Sequence, residues 1–268
     1  ALALMTGLQA ELRDRILGSS AHVYVWKTGG IDDYRAEVTA LLGIEGVVGA
    51  GPAVLGKALI STARADAFIS LKGVDPALEA GVTDIQRAMQ SGSIEDLTST
   101  AEDVLPGILI GRNLAEQLGV STGDTATVLS PQGTLSPMGM IPRTRRVQIA
   151  GIYTLGLYEF DAAYGFVSLE FAERLLGKAA PDLIELRVAD IDEAPDISER
   201  IPDELGIEYV SLDWADMNQA LFSALWLEKM AISITIALIV MVAALNIVAS
   251  LVLLVMEKSR DIAILKTM

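Results

Sequence analysis

Apolar and polar positions change period several times along the chain, and each change marks an element. Residues 22–26, His-Val-Tyr-Val-Trp, alternate and are rich in strand formers, which predicts a strand. Asp32 is placed to cap a helix through Leu42, with Tyr34, Val38, Leu41 and Leu42 on its inner face. Val47 with Val48, and residues 67–74, read as buried strands broken by glycine-rich turns. Residues 76–97 read as a helix or helix pair interrupted at Gly92. Residues 111–118 predict a helix closed by Gly119, and a turn at 121–124 leads into a strand over 125–129. Further strands are predicted at 147–153, 164–168, 183–188 and near Tyr209 and Val210, with helices at 170–176 and 192–201. A last helix is predicted from Asp213, running unbroken into an apolar run at 230–256. Strands and helices mixed in this order predict an α+β extracytoplasmic domain over 19–229, in two subdomains, joined to transmembrane α-helices.

The run 230–256 contains no Asp, Glu, Lys or Arg, and is bounded by Glu228 and Lys229 before it and Glu257 and Lys258 after it. At about 1.5 Å per residue it reaches roughly 40 Å, enough to cross a bilayer with some tilt. It is apolar on every face, unlike the core helix of a soluble domain, and too long for a signal peptide. Lys258, Arg260 and Lys266 lie beyond it, which places 257–268 on the cytoplasmic side. At the other end, residues 1–8 are uncharged, and Leu8, Leu12, Ile16 and Leu17 keep helical spacing through Glu11, Arg13, Asp14 and Arg15. Residues 1–18 are therefore expected to be the end of an earlier span and a stalk, and the chain a fragment of a longer membrane protein.

Composition narrows the function classes. There are 35 acidic residues against 20 Lys and Arg, a net charge of −15, which argues against a nucleic-acid partner. With no cysteine and one histidine, thiolate chemistry and the usual zinc sites are excluded. Residues 51–58 nearly match a phosphate-binding loop, but Ala58 stands where a magnesium-binding hydroxyl is needed and Pro52 removes an N–H. The segment is read instead as a glycine-rich turn. His22 is read as structural, and the acidic pairs Asp32-Asp33, Glu102-Asp103 and Asp190/Asp192 as solvated surface rather than calcium ligands. No cofactor and no catalytic residue is expected in this chain.

Residues 129–142 stand out. They contain Pro131, Pro137, Pro142, Gly133 and Gly139 and not one charge, between predicted strands, so a projecting hairpin loop is expected. Leu135, Met138, Met140 and Ile141 offer adaptable apolar area. Arg143, Arg145 and Arg146 come directly after. Two readings stand open here: a partner-docking tip, or a loop tucked on its own domain with the arginines paired locally.

These residues, with the helix and its exit, resemble the permease subunits of bacterial lipoprotein-releasing ABC transporters, the LolC/LolE family. The stretch 243–250, Ala-Ala-Leu-Asn-Ile-Val-Ala-Ser, running into 256–266, carries the resemblance most closely. Residues 12–18 with His22 look like the stalk after that family's first span, and 136–142 like a hook of the LolC type. The exit motif is shared more loosely with MacB- and FtsX-like permeases. The resemblance implies a MacB-like periplasmic domain, a bacterial inner-membrane location and four kinds of partner. These are an ABC ATPase subunit carrying ATP and magnesium, a second permease subunit, a periplasmic lipoprotein carrier and the lipoprotein cargo. It implies a carrier-binding hook at Leu135, Pro137, Met138, Gly139 and Met140, in a hairpin over about 129–146, and a pad at Arg143, Arg145 and Arg146. It places ATPase coupling at Glu257, Lys258, Arg260 and Asp261. The sequence departs from the family's pad, which also uses an Arg before the hook and a Gln after it: residues 125–129 are uncharged and Thr144 stands at the Gln position.

Ala243, Asn246 and Ser250 form a small, polar stripe expected to pack against other spans, since Asn facing lipid is costly. The rival readings are a MacB-like exporter of peptides or drugs and an FtsX-like regulator of a cell-wall enzyme.

Overall fold

The computed structural model describes residues 20–98, 105–136 and 139–267. The chain divides into two units, one ending at Met217 and one running from Asn218 to the C-terminus.

The first unit is built on one ten-stranded sheet. Its first part is β1 (Val23–Lys27) between β10 (Tyr209–Asp213) and β9 (Leu183–Val188), both antiparallel to it. β9 pairs with the first half of β2 (Val47–Ser61). From Ala53 onward β2 pairs instead with β3 (Asp66–Val74), and near its end with β6 (Thr125–Ser136). β3 lies parallel to β8 (Tyr164–Ser168), β8 antiparallel to β5 (Gly107–Gly111), and β5 parallel to β7 (Gly139–Tyr153). β7 returns to β6. The pairings β2-β3-β8-β5-β7-β6 thus close on themselves into a six-stranded barrel, which leaves no open edge along that ring. β4 (Met89–Gly92) adds to β7 from outside the ring.

Alternation along these strands sets the cores. Ile60, Ile69, Ile108, Ile110, Val128, Val147, Ile149 and Val167 point inward and share one fully buried cluster. α3 (Arg112–Leu118) and α5 (Leu169–Leu176) add Leu114, Leu118, Leu175 and Leu176 to it. A second cluster joins Val23, Val25, Ile184 and Leu186 to Val38 and Leu41 of α1 (Tyr34–Leu42) and Ile197 and Ile201 of α6 (Ala194–Leu205).

α1 is capped by Asp33, one residue past the expected Asp32, its carboxylate accepting from the amides of Arg35 and Ala36. Leu42, expected inward, is exposed. The expected turn at 51–58 is instead the middle of β2, which continues through every glycine in it. The glycines answer to packing rather than to turning: a Cβ at Gly49 would strike the carbonyl of Gly81 in α2 (Pro76–Val82), which crosses the strand there. Pro52 is tolerated because the β3 ladder begins only at Ala53. The helix expected over 76–97 is only α2; the rest is β4 and a 3₁₀ turn at Ile94–Thr98, drawn out by pairing with β7. The remaining small helix, α4 (Tyr158–Ala163), is fixed by the buried Asp161, whose carboxylate accepts from the amides of Leu155 and Gly156.

The second unit is one helix, α8 (Gln219–Thr267). The helix expected from Asp213 is interrupted: α7 (Trp214–Met217), capped by the Asp213 carboxylate, ends at Asn218 before α8 begins. Asn competes for backbone hydrogen bonds and suits such a step.

Candidate functional site

β6 and β7 form a single antiparallel ladder from Thr125 opposite Gln148 to Ser136 opposite Gly139. Where a projecting loop is expected, strand pairing continues to Ser136 and Gly139. Pro137 and Met138, which follow Ser136 in the chain, lie outside the described residues. The base of the ladder belongs to the barrel, held by β2 at 127–129 and by β5 from Gln148 on. Above Ser130 and Arg143 no third strand pairs with it among the described residues. The upper part is therefore a two-stranded arm. Its register shifts where the barrel ends: Pro131, Gln132 and Gly133 oppose Pro142 alone. Both prolines fall at this irregularity, where a missing N–H breaks no regular ladder bond.

The hook residues Leu135, Gly139 and Met140 thus occupy the last pairs of the arm, with Leu135 opposite Met140. The three arginines sit at its root but do not share a face. Arg143 is opposite Ser130 and Arg145 opposite Val128, on the parity that faces the core lower down; Arg146 is opposite Thr127, on the outer parity. Arg143 is half-buried against α5: a Cβ at Gly177, the left-handed C-cap of that helix at φ 71°, would collide with its guanidinium. Its charge lies at the negative end of the helix. Arg145 and Arg146 are exposed, and no carboxylate among the described residues comes within ion-pair distance of any of the three.

In the other unit, Trp226–Lys258 of α8 is long and apolar enough to cross a membrane, and none of it is buried. Ala243, Asn246 and Ser250 recur at helical spacing on it, and Asn246 and Ser250 line a shallow groove with Ile247, Leu251 and Leu254. Thr235 returns its hydroxyl to the Ala231 carbonyl at 2.8 Å, so that polar group is satisfied within the helix. Glu257 and Lys258 are exposed near its end, and the backbone stays helical through Arg260 and Asp261 to Thr267.

His22 is structural, as expected: it is buried, and its Nδ1 accepts from the Val188 amide at 3.2 Å. The described residues hold no cluster of three metal-ligating side chains. Sequence reasoning missed a buried charge cluster. Lys72 of β3 lies 2.6 Å from Glu185 of β9 and 3.0 Å from Glu79 of α2, which also accepts from the Thr83 hydroxyl at 2.8 Å. Burial alone pulls the Lys72 ammonium down, but Glu185 and Glu79 outweigh it and hold its pKa above the usual range. Burial pushes the Glu185 carboxyl up against the opposing pull of Lys72. The available signal was a lone Lys inside an apolar strand, which demands a partner.

The structure thus holds an α+β domain with a two-stranded arm and, as a separate unit, an apolar helix long enough to cross a membrane. The chain's relatives make the class narrower. No family model matches the chain. The lipoprotein-releasing system transmembrane protein LolC of Xylella fastidiosa is 33% identical over 271 residues, covering 100% of this chain and 64% of that protein. LolC of Neisseria meningitidis serogroup B is 32% identical over the same span and coverage. LolE of Haemophilus influenzae is 24% identical over 275 residues. The chain spans just under two thirds of the length of these relatives. Among solved structures, the periplasmic region of MacB from Actinobacillus actinomycetemcomitans covers 76% of this chain and 93% of its own at 10% identity, with a TM-score of 0.46. The extracellular domain of the transporter YknZ covers 71% and 99% at 14% identity, with a TM-score of 0.45. The likeness to LolC-type sequences expected from the hook and the helix exit therefore holds over the whole chain.

Proposed function

We propose that this chain is part of the permease subunit of an ABC transporter that extracts lipoproteins from the bacterial inner membrane and hands them to a periplasmic carrier. The observation that carries the reading is the β6–β7 arm, with exposed Arg145 and Arg146 at its root, in a chain similar throughout to LolC. The barrel holds the base of the arm through β2 and β5, and among the described residues no third strand pairs with its outer part. Leu135, Pro137, Met138, Gly139 and Met140 form the docking end, and Arg145 and Arg146, one on each face of the root, give an acidic domain local positive charge that steers the carrier. Arg143, seated against α5, orients the root more than it contacts the partner.

The chain itself is not an enzyme in this reading. ATP and magnesium belong to a partner ATPase, which meets Glu257, Lys258, Arg260 and Asp261. A second permease subunit packs against the stripe of Ala243, Asn246 and Ser250. The remaining apolar faces of α8 suit acyl chains, which offer no polar handle.

The test is site-specific photo-crosslinking from positions 137 and 138 in the full-length protein in living cells. Capture of the periplasmic lipoprotein carrier is expected. No capture from a folded, ATPase-bound protein overturns the docking role.

A further inference from the structure

The outer wall of the barrel carries an apolar row that begins at the arm and leads away from it. Leu129 of β6 stands opposite Thr144 on one side and Leu59 of β2 on the other, and Leu59 stands opposite Phe68 of β3. Strands lie about 4.8 Å apart, so this row runs roughly 14 Å around the barrel from Thr144 to Phe68. All four residues share the outward parity, since Val128, Ile60 and Ile69 beside them are buried.

Phe68 is 84% exposed. An aromatic ring on a strand normally finds cross-strand cover, and Leu59 and Leu129 are only partly exposed beside it. The row is bordered by cations on both sides. Arg146, opposite Thr127, closes the neighbouring row on the β7 side, and Lys57 lies two residues before Leu59 on the same face of β2. Lys57 donates to the Ser70 hydroxyl at 2.6 Å, and neither cation has a carboxylate partner among the described residues. Asp66, in the Arg146 row, is already engaged by the Ser61 hydroxyl. In a chain of net charge −15 the edges of this apolar patch carry two cations, Lys57 and Arg146, against the one carboxylate of Asp66.

We propose that Phe68, Leu59 and Leu129, edged by Lys57 and Arg146, are a second contact surface for the carrier that the arm engages, one that fits an apolar face bordered by carboxylates. This rests on the docking role proposed for the arm. It is continuous with the arm through Leu129 and Thr144, so a partner seated on the arm's root reaches it without leaving the barrel wall. An isolated exposed aromatic needs no explanation; one in a three-residue apolar row, with Lys57 and Arg146 at its edges, does.

A photo-crosslinking residue at position 68 of the full-length protein, beside one at position 138, tests this in cells, with the carrier detected by antibody. Capture of the carrier from both positions is expected. With the purified transporter, Phe68→Asp is expected to weaken carrier binding at least tenfold and Lys57→Glu less, with thermal unfolding unchanged because both side chains are exposed. Capture from 138 but not 68, with wild-type affinity in Phe68→Asp, overturns the second surface and leaves the arm. Capture of another permease subunit from 68 overturns the assignment of its occupant. Capture from neither position overturns the docking role of the arm as well.

Discussion

Lys72 interrupts a strand whose neighbours Leu71 and Val74 are buried, and it is tolerated only because two carboxylates come to meet it. The cluster is one cation among two buried acids, so removing the cation leaves two uncompensated charges. Lys72→Met is expected to cost about 3–5 kcal/mol, read from thermal or urea unfolding of the purified chain. The cluster also sets a pH dependence. The folded-state pKa of Glu185 is raised, so the folded protein binds this proton more tightly than the unfolded chain. The stability it contributes is complete below its ordinary value of 4.5 and is lost as pH rises through the raised value. Unfolding midpoints measured upward from pH 4 are therefore expected to fall less steeply in Glu185→Gln than in wild type. An identical slope would show that Glu185 does not titrate in that window.

Among the elements, the arm makes the sharpest prediction. Arg145 and Arg146 lie on opposite faces of β7 at its root, so a partner that straddles the arm meets one on each side. If they steer it, Arg145→Glu and Arg146→Glu will each slow association by about tenfold at low salt, with little change once salt screens the charges. Stopped-flow binding at two ionic strengths separates this from a loss of fold, which salt does not rescue. The elements also show what a sequence discloses. β8 and β9 lie where alternation put them, and α3 ends at Gly119 in the left-handed conformation its position implied. These signals are local. Beyond Val47 and Val48, β2 was illegible because Gly49, Gly51, Pro52 and Gly56 are the residues of a turn. Gly49 and Gly51 serve close approach by α2, Gly56 makes room for Leu176 of α5, and the strand changes partner between them, all set by residues far along the chain. The arm was legible as a projection from its prolines and missing charge. That it is a ladder to the last pair depends on register, which no single strand encodes. Likewise the Lys72–Glu185 pair joins residues 113 apart, and Phe68 meets the arm only through β2 and β6.

At the scale of the folded domain, β2 is the strand shared by two cores, the barrel cluster and the β1–β9 cluster. Its first half pairs with β9, over the cluster that holds Val25 and Ile184, and its second half closes the barrel with β3 and β6. The Lys72–Glu185 pair ties β3 to β9 across the same crossover. The permease role proposed above calls for such a joint, because two lobes linked by a loose segment would flex rather than move together. Opening one core should therefore open the other. Native-state hydrogen exchange can test this directly. Amides of β9 and of the first half of β2 are expected to open with the same free energy as those of β3 and β8, within about 1 kcal/mol, as one cooperative unit. Lys72→Met is expected to lower both sets together. If the β9 amides open well before the barrel, or if the substitution weakens only one set, the two cores are independent units, and a load taken on the arm would not reach beyond the barrel.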